Sequence, residues 1–272
     1  MATKKQQQQM AKADEQNKQL VEASAFEGME AEGFEEADAD SYAIPFLAVL
    51  QSGSPQCKRS DGQYIQGAQE GMIMNTVTSE LIDGDDGVEV IPVHYQRVYT
   101  KWVPKDEGGG FLGEFPIDTP EADRAEREGS KLVLPDGNHL VDTRKHYCIM
   151  KKADGSFEPV LITMSSTQIK KSRNIMTRLR NLKLRRSDGK MFTPPSFANV
   201  LKLVTVPEQN DQGSWYGWKP DFSSLRQLNL SDQTEAELFE AAKDFREAIR
   251  SGKVEEQKPE PAPSADEDDV GY

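Results

Sequence analysis

Between residues 165 and 190 the sequence carries nine Lys or Arg side chains and one acid, Asp188. Lys170, Lys171, Arg173, Arg178, Arg180, Lys183, Arg185 and Arg186 lie in or just beyond a segment that reads as a helix from Ser166 to about Leu184. Like charges at i, i+4 repel, whereas mixed signs gain small pairing energies, so a helix of one sign is costly unless it meets a polyanion. The chemistry implied is neutralisation of phosphates. A solvated helix face is the plainer alternative. In the strand from His94 to Trp102, the odd positions Tyr95, Arg97, Tyr99 and Lys101 alternate ring and cation, and a period of two puts all four on one face. Single-stranded nucleic acid offers stackable bases between phosphates, each stack being worth about 1–3 kcal/mol, so this alternation complements it. Cations packed over edge aromatics would read the same way. Ile91 and Val93 fall on that face too, which leaves open a bulge near Pro92 or a partly buried face. Trp102 adjoins the pattern, and Trp215, Tyr216 and Trp218 place three more rings within four residues, one or two of them core.

Other chemistry finds less support. The histidines, His94, His139 and His146, are scattered, and only His146 and Cys148 would share a strand face. A metal site needs two further ligands, so these two read as core residues and no metal or cofactor is implied. Asp83, Asp85, Asp86 and Glu89 miss the twelve-residue spacing of a calcium loop and read as turn residues. Asp136 and Asp142, with Lys145 nearby, could hold a metal that activates water, although Asp136-Gly137 already has an explanation as a hairpin turn. Gly108-Gly109-Gly110 lacks the ending of a phosphate-cradling loop, and no nucleophile elbow is present. No catalytic constellation assembles.

The elements that would position these residues are mostly strands. Residues 71–78, 87–103, 145–152, 159–164, 199–206 and 214–218 are rich in β-branched and aromatic residues, and Asp-Gly pairs punctuate them. Residues 145–152 and 157–164 read as one hairpin around Asp154-Gly155. The expectation is a mainly β chain with two helices, the strands forming a small closed or nearly closed barrel around the basic helix. The second helix opens at Asp232, with Glu235 completing a capping box, and runs through Leu238, Ala242, Phe245 and Ile249 to Gly252. It would pack on the core or on a partner subunit, as in a homodimer.

The chain has 272 residues and a net charge of −13, with 36% hydrophobic residues, a low value for a chain folded from end to end. The charge is partitioned. Residues 1–43 hold 4 Lys against 10 acids and 229–272 hold 5 cations against 13 acids, while 44–228 are almost neutral with 24 against 23. This suggests a disordered acidic arm (1–43), a core (44–228), an amphipathic helix (229–254) and a disordered acidic tail (255–272). Two cysteines exclude a disulfide framework, and the absence of an apolar spanning run or secretory leader predicts a soluble, cytoplasmic protein.

The strand set, the block Ser165-Ser166-Thr167-Gln168-Ile169-Lys170-Lys171-Ser172-Arg173, the stretch Gly213-Ser214-Trp215-Tyr216-Gly217-Trp218 and the tail together resemble bacteriophage single-stranded DNA-binding proteins of the OB-fold, acidic-tail type. The resemblance implies an OB-like barrel holding the strand in a basic, aromatic-lined groove, in the cytoplasm of an infected host. It implies a tail, here Asp266, Glu267, Asp268, Asp269 and the aromatic Tyr272, that recruits replication or recombination proteins. Tethering would also let the tail occupy the groove when DNA is absent. Two rival classes are a structural or scaffolding component of a virion, assembled through the acidic arms and terminal helix, and a metal-dependent nuclease using Asp136 and Asp142.

Overall fold

The computed structural model describes residues 28–29, 32–33, 43–128, 131–152, 154–211 and 213–256, the side chains of Lys105, Lys131 and Glu255 excepted. The chain divides into residues 1–42 and 43–272, and every described strand and helix belongs to the second unit. Apart from residues 28–29, 32–33 and 43, the acidic arm lies outside the described residues, and so does the tail beyond residue 256. In order, the strands are β1 (Ala43–Ile44), β2 (Leu47–Val49), β3 (Ile73–Asn75), β4 (Leu81–Ile82), β5 (Val88–Trp102), β6 (Phe111–Pro116), β7 (Glu126–Glu128), β8 (Lys131–Val133), β9 (His139–Lys151) and β10 (Phe157–Ser165). Helix α1 (Ile169–Asn181) follows, then β11 (Leu184–Arg185), β12 (Met191–Phe192), β13 (Asn199–Asn210), β14 (Gly213–Gln227), helix α2 (Gln233–Arg250) and β15 (Glu255–Glu256).

The protein is mainly β, with two helices among the described residues, and its principal sheet curls into a half-barrel. Five long antiparallel strands run β14-β13-β5-β9-β10. The sheet branches because β5 and β9 outlast their neighbours. Strand β13 pairs only with residues 88–90 of β5, and β6 takes residues 98–102 of the same edge. Likewise β10 takes residues 143–151 of β9, and β8 takes 139–140. The expected hairpin is β9–β10, its turn fastened by the Asp154 carboxylate accepting from the Ser156 amide at 2.9 Å.

A bulge at Pro92 organises the faces. Proline has no amide to give to the ladder, and the β5–β9 register slips between Pro92 and His94. The slip puts Val88 and Val90 on the same side as Tyr95, Arg97, Tyr99 and Lys101, and sends Ile91 and Val93 to the other. Of the two possibilities left open by the sequence, the bulge is the one realised. Inside the curl, Val88, Val90, Cys148, Met150, Ile162, Leu203 and Trp218 meet Leu47 and Ile73 from the small β2–β3–β4 sheet, and Ile175 and Leu179 from α1. On the outside, Ile91, Val93, Ile149 and Val200 are covered by Leu238 and Ala242 of α2. Burying a leucine in this way stabilises by about 2 kcal/mol.

The small sheet spans the mouth of the curl. Phe46 bridges Leu161 of β10 on one side. On the other, the Gln51 amide imitates a strand: its Oε1 accepts from the Tyr216 amide at 2.8 Å and its Nε2 donates to the Tyr216 carbonyl at 2.9 Å. Gly84 is required at this seam, because a Cβ there would lie 2.0 Å from Thr205 Oγ1 and 2.1 Å from the Gly71 carbonyl oxygen.

Helix α2 packs on the chain's own core. Asp232 caps it, accepting from the Glu235 amide at 3.0 Å. The reciprocal half of the expected capping box is absent, because the Glu235 carboxylate turns to Arg226 at 2.7 Å and to the Asn229 amide. The helix ends as expected: Gly252 adopts φ 69°, and the Lys253 amide donates back to Ala248 O at 3.0 Å. Among the described residues no helix is long and apolar enough to cross a membrane.

Candidate nucleic-acid interface

Helix α1 lies over the open inner side of the curl on a stripe formed by Ser172, Ile175 and Leu179, all buried. Lys170, Arg173, Thr177 and Arg180, spaced i, i+3, i+7 and i+10, line the exposed side. At 1.5 Å per residue the stripe is roughly 15 Å long. α1 contains no acid, and Lys170 and Lys171 occupy its first turn, where the helix dipole disfavours a cation. Lys170, Arg173, Arg178, Arg180, Lys183, Arg185 and Arg186 have no carboxylate partner among the described residues. Lys171 does: it is paired with Glu208 of β13. Arg178 lies over the Phe222 ring, 5.1 Å from its centroid.

Gln168, just before α1, leaves the helix uncapped and works on β14 instead. Its Oε1 accepts from the Trp218 amide at 3.0 Å and its Nε2 donates to Glu208 at 3.1 Å. The Trp215 indole donates to the same Glu208 carboxylate at 3.0 Å. Gly217 makes room for these side chains, since a Cβ would come within 2.4 Å of Gln168 Nε2 and 2.8 Å of Glu208 Oε2 and would push their ends aside. Trp215 is thereby brought beside Lys171 at the start of the basic helix.

The strand pattern has a different outcome. Arg97 forms a two-point ion pair with Asp142, at 3.0 and 2.6 Å, and Lys101 binds Asp136 at 2.8 Å with Glu121 at 3.5 Å. Arg144, buried on the neighbouring strand, donates to Asp142 at 3.0 Å and to the Tyr95 hydroxyl at 2.9 Å. Three cations thus face three carboxylates, so Arg97 and Lys101 are not free phosphate ligands. Burial would raise the Asp142 carboxyl, but the Arg97 and Arg144 guanidiniums outweigh it and hold it below the usual carboxylate range. Lys101 and Asn138 bring Asp136 down to about 2. These carboxylates serve the cations, and among the described residues no three His, Cys, Asp or Glu side chains are grouped as metal ligands.

The aromatic set is divided. Tyr95 and Tyr99 share the inner face with Arg97 and Lys101, Tyr95 packing on His146 at 5.2 Å. Trp102 is on the opposite face, its indole on Thr100 Oγ1 at 3.0 Å and its ring edge-on to Phe111 at 5.3 Å. Trp218 is 4% exposed inside the core, which removes it as a stacking residue. Tyr216 packs against Gly71 at the seam. Sequence reasoning overlooked Phe222, and also Phe192 and Met191, exposed in the short ribbon after α1. An apolar pair directly after Asp188-Gly189-Lys190 was the available signal.

His146 and Cys148 are core residues, as expected. His146 Nε2 and Ser172 Oγ are hydrogen-bonded at 2.8 Å, joining β9 to the underside of α1. Burial pushes the Cys148 thiol up to about 12. Burial, then Arg144, takes His146 from 6.5 down to about 4. The unfolded chain therefore binds a proton below pH 6.5 that the folded chain refuses until about pH 4, so acid removes stability across that window. At 1.36 kcal/mol per pKa unit the loss from this residue is roughly 3 kcal/mol. Urea unfolding at pH 7 and pH 4 checks it: His146→Gln is expected to flatten most of that change, and an equally steep fall in the variant would contradict the assignment.

A family model described as Pam3 phage gp34-like protein matches residues 12–255. No curated protein and no solved structure matches the chain. With almost the whole sequence spanned, the chain belongs to the Pam3 phage gp34-like protein family and is a phage protein.

Proposed function

We propose that this phage protein binds single-stranded DNA without sequence preference, in replication or recombination within the host cytoplasm. The observation that carries the reading is the stripe Lys170, Arg173 and Arg180, continued by Lys183, Arg185 and Arg186, cations without a carboxylate partner among the described residues of a chain of net charge −13. Cations of one sign whose charge no neighbouring carboxylate balances gain most from a polyanion. Trp215 beside Lys171 and Phe222 beneath Arg178 supply rings next to that surface. The curled antiparallel sheet with a helix across its opening supports an OB-like reading of the fold. In the same reading, Asp266, Glu267, Asp268, Asp269 and Tyr272 compete for the basic stripe and recruit replication or recombination proteins. Trp215, Tyr95 and Tyr99 remain the stacking candidates of the original set.

The test is a fluorescence anisotropy titration of a labelled oligo-dT strand at 50 and 200 mM salt. Neutralising about five phosphates of a single strand would weaken binding about a hundredfold across that range. Binding that ignores salt, or no binding at all with the protein forming large assemblies, would overturn the reading in favour of a virion component.

A further inference from the structure

The geometry points to the β11–β12 ribbon as a second contact element for single-stranded DNA, with Phe192 stacking on one base; this rests on the function proposed above. The ribbon stands apart from the main sheet, its two strands paired only through Leu184 with Phe192 and Arg185 with Met191. Its turn is well built. The Arg186 amide donates to Lys190 O at 2.8 Å, the Asp188 carboxylate accepts from the Lys190 amide at 3.0 Å, and Gly189 supplies the left-handed position at φ 83°. Its base is tied to α1, because Lys183 Nζ and Thr193 Oγ1 both donate to the Arg180 carbonyl, at 3.4 and 3.3 Å. The ribbon therefore starts where the stripe Lys170, Arg173, Arg180 ends.

Met191 is 55% and Phe192 38% exposed, and neither belongs to any of the three apolar clusters. A lone exposed hydrophobic residue is ordinary. This pair, however, sits among Arg185, Arg186 and Lys190, and the Arg186 guanidinium lies over the Phe192 ring, 5.8 Å from its centroid. The cation holds the ring in place and stands ready for a phosphate next to whatever covers it. An apolar protein surface docking here would strip water from three cations without giving them partners, which is costly. A nucleotide supplies both a flat ring and an anion, so the occupant is a base of the single strand with its flanking phosphates.

The experiment uses the full-length chain and the same labelled oligo-dT strand, with a second strand of equal length carrying abasic sites. Phe192→Ala is expected to bind oligo-dT about tenfold more weakly, by the worth of one lost stack, with an unchanged salt dependence. Phe192→Tyr should restore binding. The wild type should discriminate between dT and abasic strands more than Phe192→Ala does. Circular dichroism melting should be unaltered, since the ring lies outside the core. If Phe192→Ala binds within twofold of the wild type while reversal of α1 charges still weakens binding, the ribbon assignment is wrong and the function stands. Failure of the wild type to bind the strand at all would instead remove the function.

Discussion

Replacing Arg173 and Arg180 together by glutamate is expected to weaken oligo-dT binding about a hundredfold at 50 mM salt and to reduce the slope of log affinity against log salt by about 1.4. The slope follows from counterion release: each phosphate neutralised on a single strand contributes roughly 0.7, and two contacts are removed. The affinity loss is larger than two lost contacts would give, because each glutamate also repels the phosphate it faces. Both arginines are exposed on the side of α1 opposite Ser172, Ile175 and Leu179, so the core is untouched and the melting curve should barely move. A change of net charge alone could mimic the effect, and Arg250→Glu is the control. Arg250 is exposed at the end of α2, which covers the outer side of the sheet, and its reversal should cost less than about threefold. Conservative Arg173→Lys and Arg180→Lys changes should keep most of the affinity, since a phosphate needs the charge more than the fork. Equal losses from Arg250→Glu and from the α1 pair would mean a diffuse electrostatic attraction, and the stripe would lose its role.

What the sequence revealed was local. The Asp154-Gly155 hairpin, the Asp232 cap with Gly252 at the other end, and the run of cations on α1 each depend on residues within one or two turns of chain, where propensity and spacing act directly. The errors came from partners distant in sequence. Arg97 finds Asp142 across the β5–β9 pair, 45 residues away, and nothing near Arg97 signals that its charge is already satisfied. Alternation along β5 placed Tyr95, Arg97, Tyr99 and Lys101 together correctly, yet strict period two could not tell that Pro92 would shift Ile91 and Val93 to the other face. Among Trp215, Tyr216 and Trp218, composition implied that some ring was core, and only the position of β14 at the sheet edge selects Trp218. The centre of the candidate site shifted accordingly, from a strand face lined by Tyr95 and Tyr99 alone to a helix and a ribbon that add Phe222 and Phe192 to Trp215.

Lys145 carries the largest expected effect on stability. The sequence offered it only as a neighbour of Asp136 and Asp142, and lysine is seldom fully buried unless paired, yet Lys145 is 1% exposed. It lies on the outer face of β9, where its ammonium donates to both carboxylate oxygens of Glu114 on β6, at 2.9 and 2.7 Å, and to Glu256 on β15. The Tyr147 ring lies 5.6 Å from the ammonium, and its hydroxyl donates to Glu256 as well. Burial, then Glu256 and Glu114, push the Tyr147 hydroxyl well above its ordinary range, so it stays a donor at every physiological pH. Lys145→Ala would leave two carboxylates facing each other in a largely enclosed space without a cation. Removing one member of a buried ion pair costs about 3–5 kcal/mol, more than the pair adds relative to an apolar replacement, because the partner's charge stays behind. For a chain of this size that is a fall in melting temperature of roughly 10 °C. Glu256→Gln should cost only about 1 kcal/mol, since the amide oxygen can still accept from Lys145 and Tyr147 while Glu114 keeps the charge balance. In the double variant the penalty of Lys145→Ala should shrink by 1 kcal/mol or more, because one of the two stranded carboxylates is gone. A Lys145→Ala protein that melts within about 2 °C of the wild type would mean that β6 and β15 are held to β9 by something other than this cation.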